Sequence, residues 1–380
     1  MTEKLYYTDA YIKEFDARLL SCEPFGDNYR VLLDKTAFFP EEGGQSSDKG
    51  FIGGFKVVDV KEEQGKIYHI LPSKPEGDIL HCFIDFEERF EKMQCHTAEH
   101  ILCGIIHELY GYDNVGFHLG DDVVTFDVDG ELSADQIDEI EQLANRAVFE
   151  NRAVISRFPS ADELPELVYR AKLDLVDNVR IVDIEGIDSC ACCAPHVSST
   201  GEVGVIKIID FMRHRGGMRL FMQAGYRALA DYKKRYYITR AIGAMTSTPS
   251  LDALDAVKRL EFERDKLSSE LDATSLRYAR SLARAIEITD GNLVCLIEMA
   301  SIDAMRELAN IALPKIGGIL VVISGEDGNY RYVIASATVN LRDVAREINS
   351  SLRGKGGGRP EMITGSFSAT LDEIRAYFEK

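Results

Sequence analysis

His96-Thr97-Ala98-Glu99-His100 sets two imidazoles four residues apart. On a helix both project from one face and can reach a single ion. The metalloprotease pattern has Glu directly after the first His; here Thr97 holds that place and Glu99 lies off the ligand face. Far downstream, Cys192-Cys193-Ala194-Pro195-His196 again spaces a thiol and an imidazole by four, in a loop interrupted by Pro195. Two His from a helix with a Cys and a His from a loop make a full set of Zn2+ ligand types, and mixed nitrogen and sulfur favour zinc over iron or copper. The expected ligands are His96, His100, Cys192 and His196. Cys190 and Cys193 are rival thiols, and Cys103 and His107 extend the helical stripe, so spacing alone leaves the choice open.

Other segments suit a ligand's backbone. In Phe38–Gly50 the Gly43-Gly44 pair permits a tight turn and close approach, with Gln45 beside it able to donate and to accept a hydrogen bond. Arg353-Gly354-Lys355-Gly356-Gly357-Gly358-Arg359 falls between two expected helices, and its exposed amides and three cations suit a sugar-phosphate backbone. It is not a P-loop, lacking Gly-Lys-Ser/Thr after a four-residue gap. Cations also gather at Arg213–Arg219 and at Lys233-Lys234-Arg235. The chain carries 44 Lys and Arg against 63 Asp and Glu, a net charge of −19, which argues against non-specific coating of nucleic acid. Against that background Arg219, Lys233, Lys234, Arg353, Lys355, Gly356, Gly357, Gly358 and Arg359 are the expected RNA contacts.

The elements that must position these residues follow from periodicity. The chain has 380 residues, enough for two to three domains, and its 45% hydrophobic content fits a globular protein. The fold class expected is α+β and multidomain. Residues 1–90 alternate apolar and polar in short runs between glycines, as in a small β-barrel. Residues 91–245 read as an α/β domain holding the zinc ligands, with a helix from about Phe90 to Tyr110. Residues 246–288 lack helix breakers beyond Leu251 and form a long helical linker, with Val257, Leu260, Leu267 and Leu271 at heptad spacing but Arg264 and Thr274 also on the seam. Residues 289–380 alternate strands and helices in a compact α/β domain. No apolar run reaches membrane-spanning length, the N-terminus lacks a signal-peptide layout, and eight cysteines are too few for a disulfide scaffold, so a cytoplasmic location is expected.

Taken in order, these stretches resemble the alanyl-tRNA editing proteins of the AlaX type, long form. Phe38–Gly50 resembles the Gly-rich segment of that family's β domain, and Asp85–Leu102 its H-x-x-x-H helix. Cys192–Gly204 is similar to its second metal motif, with Ala194 and Pro195 standing where the family has Gly and Thr. Gly354–Gly365 resembles the signature of the DHH-associated C-terminal domain, which also closes alanyl-tRNA synthetase. The resemblance implies a zinc-containing site that hydrolyses the ester between a wrong amino acid, serine or alternatively glycine, and tRNA(Ala). A pocket built for alanine cannot reject serine, which adds only a hydroxyl, so a second hydrolytic site is needed. Gln45 and Thr36 are the residues expected to recognise that hydroxyl and act on the ester.

The chain begins at the β domain, so an ATP-dependent synthetase is not expected, and no Asp-His-His string supports a phosphoesterase. The rival readings are a non-catalytic, zinc-dependent tRNA-binding protein and a general zinc hydrolase acting without tRNA. The linker helix and C-terminal domain are also the expected route to a homodimer.

Overall fold

The computed structural model describes residues 1–120, 122–160, 162–171 and 179–379. The chain divides into two compact units, Met1–Ile238 and Thr239–Lys380. Both mix helices and sheets, as expected of a multidomain α and β chain. Among the described residues no helix is long and apolar enough to cross a membrane.

The first unit opens with a seven-stranded sheet ordered Phe55–Lys56, Gly50–Ile52, Ile79–Ile84, Glu14–Phe25, Asn28–Leu33, Lys66–Leu71, Asp59–Glu63. Alternation along Ile79–Ile84 buries Leu80, Cys82 and Ile84 and exposes Ile79, His81 and Phe83, the period-two pattern of a half-buried strand. One continuous stretch supplies both edges: Val57 N–H bonds Gly50 O, and Val58 N–H bonds Ile70 O. The unit also holds a four-stranded sheet (order Asn114–Leu119, Val124–Val128, Gly217–Ala224, Ile206–His214), a three-stranded one (Val154–Arg157, Ile181–Ile184, Asp188–Ala191) and a short parallel pair, Glu3–Lys4 with Lys35–Thr36.

Helix α1 (Phe86–Tyr110) starts four residues before the expected Phe90, because Asp85 accepts from Glu88 N–H and Glu87 and Glu88 occupy the first turn, where the helix dipole favours anions. It ends at Gly111, at φ 67°. Helix α2 (Ala134–Glu150) is closed at its start by a Ser133–Gln136 capping box, and buries Ile137, Ile140, Ala144 and Ala147 in the same core as Met93, Ala98, Ile101 and Leu102 of α1. Unlike an ordinary core helix, α1 also buries Arg89, Lys92, Gln94, His96, Thr97, Glu99 and His100. Buried polar groups are costly unless paired, so their partners locate the site.

Helix α3 (Gly225–Thr246) carries the chain into the second unit, where α4 (Ala253–Ala285) follows. The heptad residues Val257, Leu260, Leu267 and Leu271 are exposed; Ala253 and Ala256 at the start of α4 are buried, and its end, with Ala279 and Ala283, enters a core against α5 (Ile302–Ala312). The sheet order is Leu293–Leu296, Ile319–Glu326, Asn329–Ser336, Met362–Phe367, Gly354–Arg359. Leu320 and Val322 face α5, whereas Val321 and Ile323 face α6 (Leu341–Ser351) and α7 (Leu371–Phe378). This is a three-layer sandwich built by strict alternation.

The structure corrects one expectation. Gly354–Arg359, expected between two helices without a strand of its own, is an edge strand antiparallel to Met362–Phe367. The glycines permit close packing: a Cβ on Gly356 would lie 2.4 Å from Thr364 O and from the Tyr332 hydroxyl.

Candidate metal centre

The face of α1 that carries His96 and His100 is fixed against the β domain by residues one and two turns earlier. Arg89, fully buried, donates to Ala37 O and to the Asp48 carboxylate, and Asp48 also accepts from Phe39 N–H at 2.5 Å. Lys92 donates to Ser47 O at 2.8 Å. Both ends of the segment 37–49 are thereby held by α1. Breaking a buried ion pair of this kind costs about 3–5 kcal/mol, because the survivor is left uncompensated.

The tip of that segment is a tight turn in which Glu42 and Gln45 exchange backbone hydrogen bonds at 3.1 Å. Gly44 has φ 85°, and a Cβ there would lie 2.4 Å from Phe117 O, so only glycine fits both the conformation and the approach. Gly44 O accepts from Leu119 N–H at 2.9 Å, which docks the turn on the four-stranded sheet. Gln45 is wholly buried; its Oε1 lies 2.9 Å from His96 Nδ1, and its Nε2 has no partner among the described residues.

The other ligand candidates are held in the same way. His196 Nδ1 lies 3.0 Å from Thr97 Oγ1, and His100 Nδ1 lies 3.2 Å from Asp188 Oδ2. Asp188 is itself gripped by Arg170 through both carboxylate oxygens at 2.7 and 2.8 Å. Burial would raise the Asp188 carboxyl, but hydrogen bonds from His100 and Arg170 outweigh it and hold it below its usual value. With each Nδ1 occupied, the Nε2 atoms are left to converge. Cys192 Sγ lies 3.6 Å from His96 Nε2 and 3.4 Å from His196 Nε2. Ligand atoms of His96, His100, Cys192 and His196 all fall within 4.8 Å of one another.

Protonation differs among the candidate ligands. Burial pushes His196 down to about 3, keeping a neutral imidazole. Burial would raise the Cys192 thiol, but attraction to His96 and His196 and hydrogen bonds from His100 and His196 bring it well below its usual value, toward thiolate. Burial would lower His100, but the Cys190 thiol and hydrogen bonds to Asp188 and Cys192 outweigh it and raise it well above its usual value, so an ion would have to displace its proton. Three imidazoles, one thiol drawn toward thiolate and a partner on each Nδ1 match the donor types and outer shell of a tetrahedral Zn2+ site. The residues present fit the ion.

The rivals separate. Cys103 contacts Glu99 and Asn114, and His107 pairs with Asp113 at the surface. Cys193 sits with Tyr7 and Glu42, its thiol pushed up to about 11 by burial and Glu42. Cys190 joins His100 and Asp188 in a second possible ligand group, but there it competes with the hydrogen bond that orients His100.

Thr36 is buried with its hydroxyl 2.8 Å from His69 Nε2 and accepting from Phe38 N–H. Of the expected RNA contacts, Lys233, Lys234, Arg353, Lys355, Gly356, Gly357, Gly358 and Arg359 are exposed. Arg219 makes a two-pronged pair with Asp127 at 2.7 and 2.8 Å, and Arg353 pairs with Glu373 at 2.5 Å. Thr97, Asp188 and Arg170 were not singled out from sequence. Nothing local marked Asp188 or Arg170, which meet His100 only through the pairing of Asp188–Ala191 with Ile181–Ile184.

Residues 179–220 match the second additional domain of threonyl and alanyl tRNA synthetases, and residues 291–380 match the DHHA1 domain. The chain is 28% identical over 98% of its length to the alanyl-tRNA editing protein AlaX-L of Pyrococcus horikoshii, of which it covers 96%. It is 27% identical over 96% of its length to the alanyl-tRNA editing protein Aarsd1 of Danio rerio, covering 93% of that protein. It is 30% identical over 96% of its length to the alanine–tRNA ligase of Pyrococcus abyssi, but covers only 42% of that enzyme. The resemblance carried by the four motifs holds along the whole chain.

Proposed function

On the premise that the chain is similar from end to end to the long alanyl-tRNA editing proteins, we propose that it is an aminoacyl-tRNA hydrolase that removes a wrong amino acid, serine in the first place, from tRNA(Ala) in trans. The observation that carries the chemistry is the convergence of three Nε2 atoms and the Cys192 sulfur, each imidazole oriented by a different acceptor or hydroxyl at Nδ1.

When bound there, zinc supplies Lewis acidity that either lowers the pKa of a water or holds the ester in place. The chain's own residues do the remainder. His96 keeps its proton on Nδ1 by donating to Gln45 Oε1, and the Gln45 Nε2 donors stay free for an oxygen of the ester or of the seryl side chain. A buried donor that meets its acceptor only when the substrate arrives favours the substrate carrying the extra oxygen. Thr36 supports the strand leading into the turn through His69 and Phe38.

We read the N-terminal sheet as a small barrel, closed by the shared stretch at residues 55–63, and residues 91–245 as the editing domain. Residues 246–288 are the helical linker and 289–380 the DHH-associated domain. The exposed cations Lys233, Lys234, Lys355 and Arg359 grip tRNA phosphates in the cytoplasm. The exposed heptad residues of α4 suit pairing with a second copy.

The test is a deacylation assay on Ser-tRNA(Ala), Ala-tRNA(Ala) and a small ester. Rapid loss of serine alone supports the reading. Binding without turnover makes the protein a tRNA-binding zinc protein, and turnover of the small ester without tRNA makes it a general hydrolase.

A further inference from the structure

Arg89 and Asp188, buried in the first unit, each meet a counter-charge, in Asp48 and Arg170. Glu99 is 4% exposed, yet among the described residues no lysine or arginine pairs with it. Its Oε1 accepts from the Asn114 amide and from the Cys103 thiol, the latter at 3.3 Å. Burial and the adjoining carboxylate push that thiol well up, so it stays a donor. Two donors on one oxygen hold the carboxylate in one orientation. The other oxygen, Oε2, lies 3.9 Å from His100 Nε2, the ring atom that Asp188 leaves to the metal centre. A carboxylate placed to bind the ion would fall among the converging atoms; this one stands beside them. A nitrogen that ligates a metal carries no proton, so Oε2 keeps its acceptor capacity for a third group.

Strand Asn114–Leu119 serves both ends of the arrangement. Asn114 orients Glu99, Phe117 lies against the His96 ring at 4.6 Å between centroids, and Leu119 N–H docks the turn that carries Gln45. At the His96 end is the Gln45 Nε2 donor, without a partner among the described residues; at the His100 end is a carboxylate oxygen without a lysine or arginine. The two imidazoles between them lie 5.4 Å apart, centroid to centroid. A ligand that satisfies both ends brings an oxygen acceptor to one and a positively charged donor to the other. An aminoacyl ester has that polarity: its carbonyl and seryl oxygens accept, and its α-ammonium group lies one carbon from the carbonyl.

We infer that Glu99 anchors the α-ammonium group of the aminoacyl ester, its Oε2 accepting from the ammonium while Gln45 Nε2 donates to an ester or seryl oxygen. The inference rests on the hydrolase reading above and names what distinguishes an aminoacyl ester from a plain one at this site.

The test compares Ser-tRNA(Ala) with the same tRNA carrying glycerate, which is serine with a hydroxyl in place of its amino group. Both are given in single turnover to the full-length, zinc-loaded protein at about pH 6.5, where an α-amino group is mostly protonated. After subtraction of spontaneous hydrolysis, the seryl ester should react about 10–100-fold faster, the range of one charge-assisted hydrogen bond. Glu99→Gln keeps the size of the side chain and removes its charge. It should bring the preference close to one by slowing the seryl ester alone, with zinc content by elemental analysis at the parental level. A parental protein that treats both esters alike overturns the anchor. So does a preference that survives Glu99→Gln, or an equal slowing of both esters, the mark of a group that acts only through His100. Should Glu99→Gln fail to fold or lose zinc, Asn114→Ser decides, since it releases the carboxylate's orientation and leaves its charge. A reduced preference at parental zinc content then supports the inference, and an unchanged one overturns it. Hydrolysis of neither ester refutes the hydrolase reading, whereas hydrolysis of Ser-tRNA(Ala) without the preference refutes the inference alone.

Discussion

Gln45 Oε1 and His96 Nδ1 lie 2.9 Å apart, and this contact joins the tip of the Glu42–Gln45 turn to the first histidine of α1. An acceptor at Nδ1 fixes the imidazole proton there and directs Nε2 to the metal centre. The same amide leaves Nε2 of Gln45 without a partner among the described residues, so on the proposed reading one side chain orients a ligand and offers a donor to substrate.

Replacing Gln45 by Glu separates those tasks, since a carboxylate keeps the acceptor and loses the donor. Gln45→Glu is expected to retain zinc while single-turnover deacylation of Ser-tRNA(Ala) falls about 10²–10³-fold, the usual loss for one transition-state donor. Gln45→Ala should lose both rate and some metal affinity. An unaltered rate in Gln45→Glu would remove the donor role.

Metal content should follow the converging set. His96→Ala and Cys192→Ala are expected to lose the ion, as read by elemental analysis after dialysis, whereas Cys193→Ala keeps it because its thiol is turned toward Tyr7 and Glu42. Asp188→Asn should weaken zinc affinity by roughly 10–100-fold through the orientation of His100. Loss of metal in Cys190→Ala with retention in Cys192→Ala would reassign the thiolate.

The ligand set was legible because helical spacing projects His96 and His100 together and because Cys192 and His196 share one short loop. Strand alternation marked the β-rich start and the first three strands of the C-terminal sheet, but not Met362–Phe367 or Gly354–Arg359. The outer shell was not legible. Asp188 and Arg170 meet His100 only after Asp188–Ala191 pairs beside Ile181–Ile184, a tertiary event that no local pattern encodes. Gly354–Arg359 misled for a different reason: glycine is disfavoured in strands, and only the approach of Tyr332 and Thr364 makes it necessary there.

Stability should fall in mild acid through His69. Burial pushes this imidazole down to about 4, and the Nδ1 contact to Val31 O only partly opposes it. A histidine held neutral in the fold but protonated near 6.5 when unfolded destabilises the native state as pH falls between those values, by about 1.4 kcal/mol per unit. Above that window it contributes no pH dependence. Thermal unfolding of the protein from pH 7 to pH 4 should show the decline, and His69→Phe should flatten it. A slope unaffected by His69→Phe assigns the acid sensitivity elsewhere.

The glycine strand separates structural from RNA-contacting residues. A Cβ on Gly356 meets backbone and the Tyr332 hydroxyl, whereas a Cβ on Gly357 meets nothing within 4 Å. Gly356→Ala is therefore expected to lower the melting temperature of the second unit, and Gly357→Ala to leave it unmoved. Lys355 and Arg359 flank these glycines, exposed and, among the described residues, without a carboxylate partner, while Arg353 is held by Glu373. Cations that meet RNA phosphates release counterions, so each one removed should lower the log–log salt dependence of tRNA binding by roughly 0.7–0.9. Lys355→Ala with Arg359→Ala should raise KM for tRNA and flatten that slope, with zinc content and the rate at saturating tRNA preserved. Arg353→Ala, whose charge is already met, should change the slope less than either. If the double variant binds tRNA with the parental salt dependence, the strand is a sheet edge and not an RNA contact, and the exposed seam of α4 becomes the better place to look for what the second unit does.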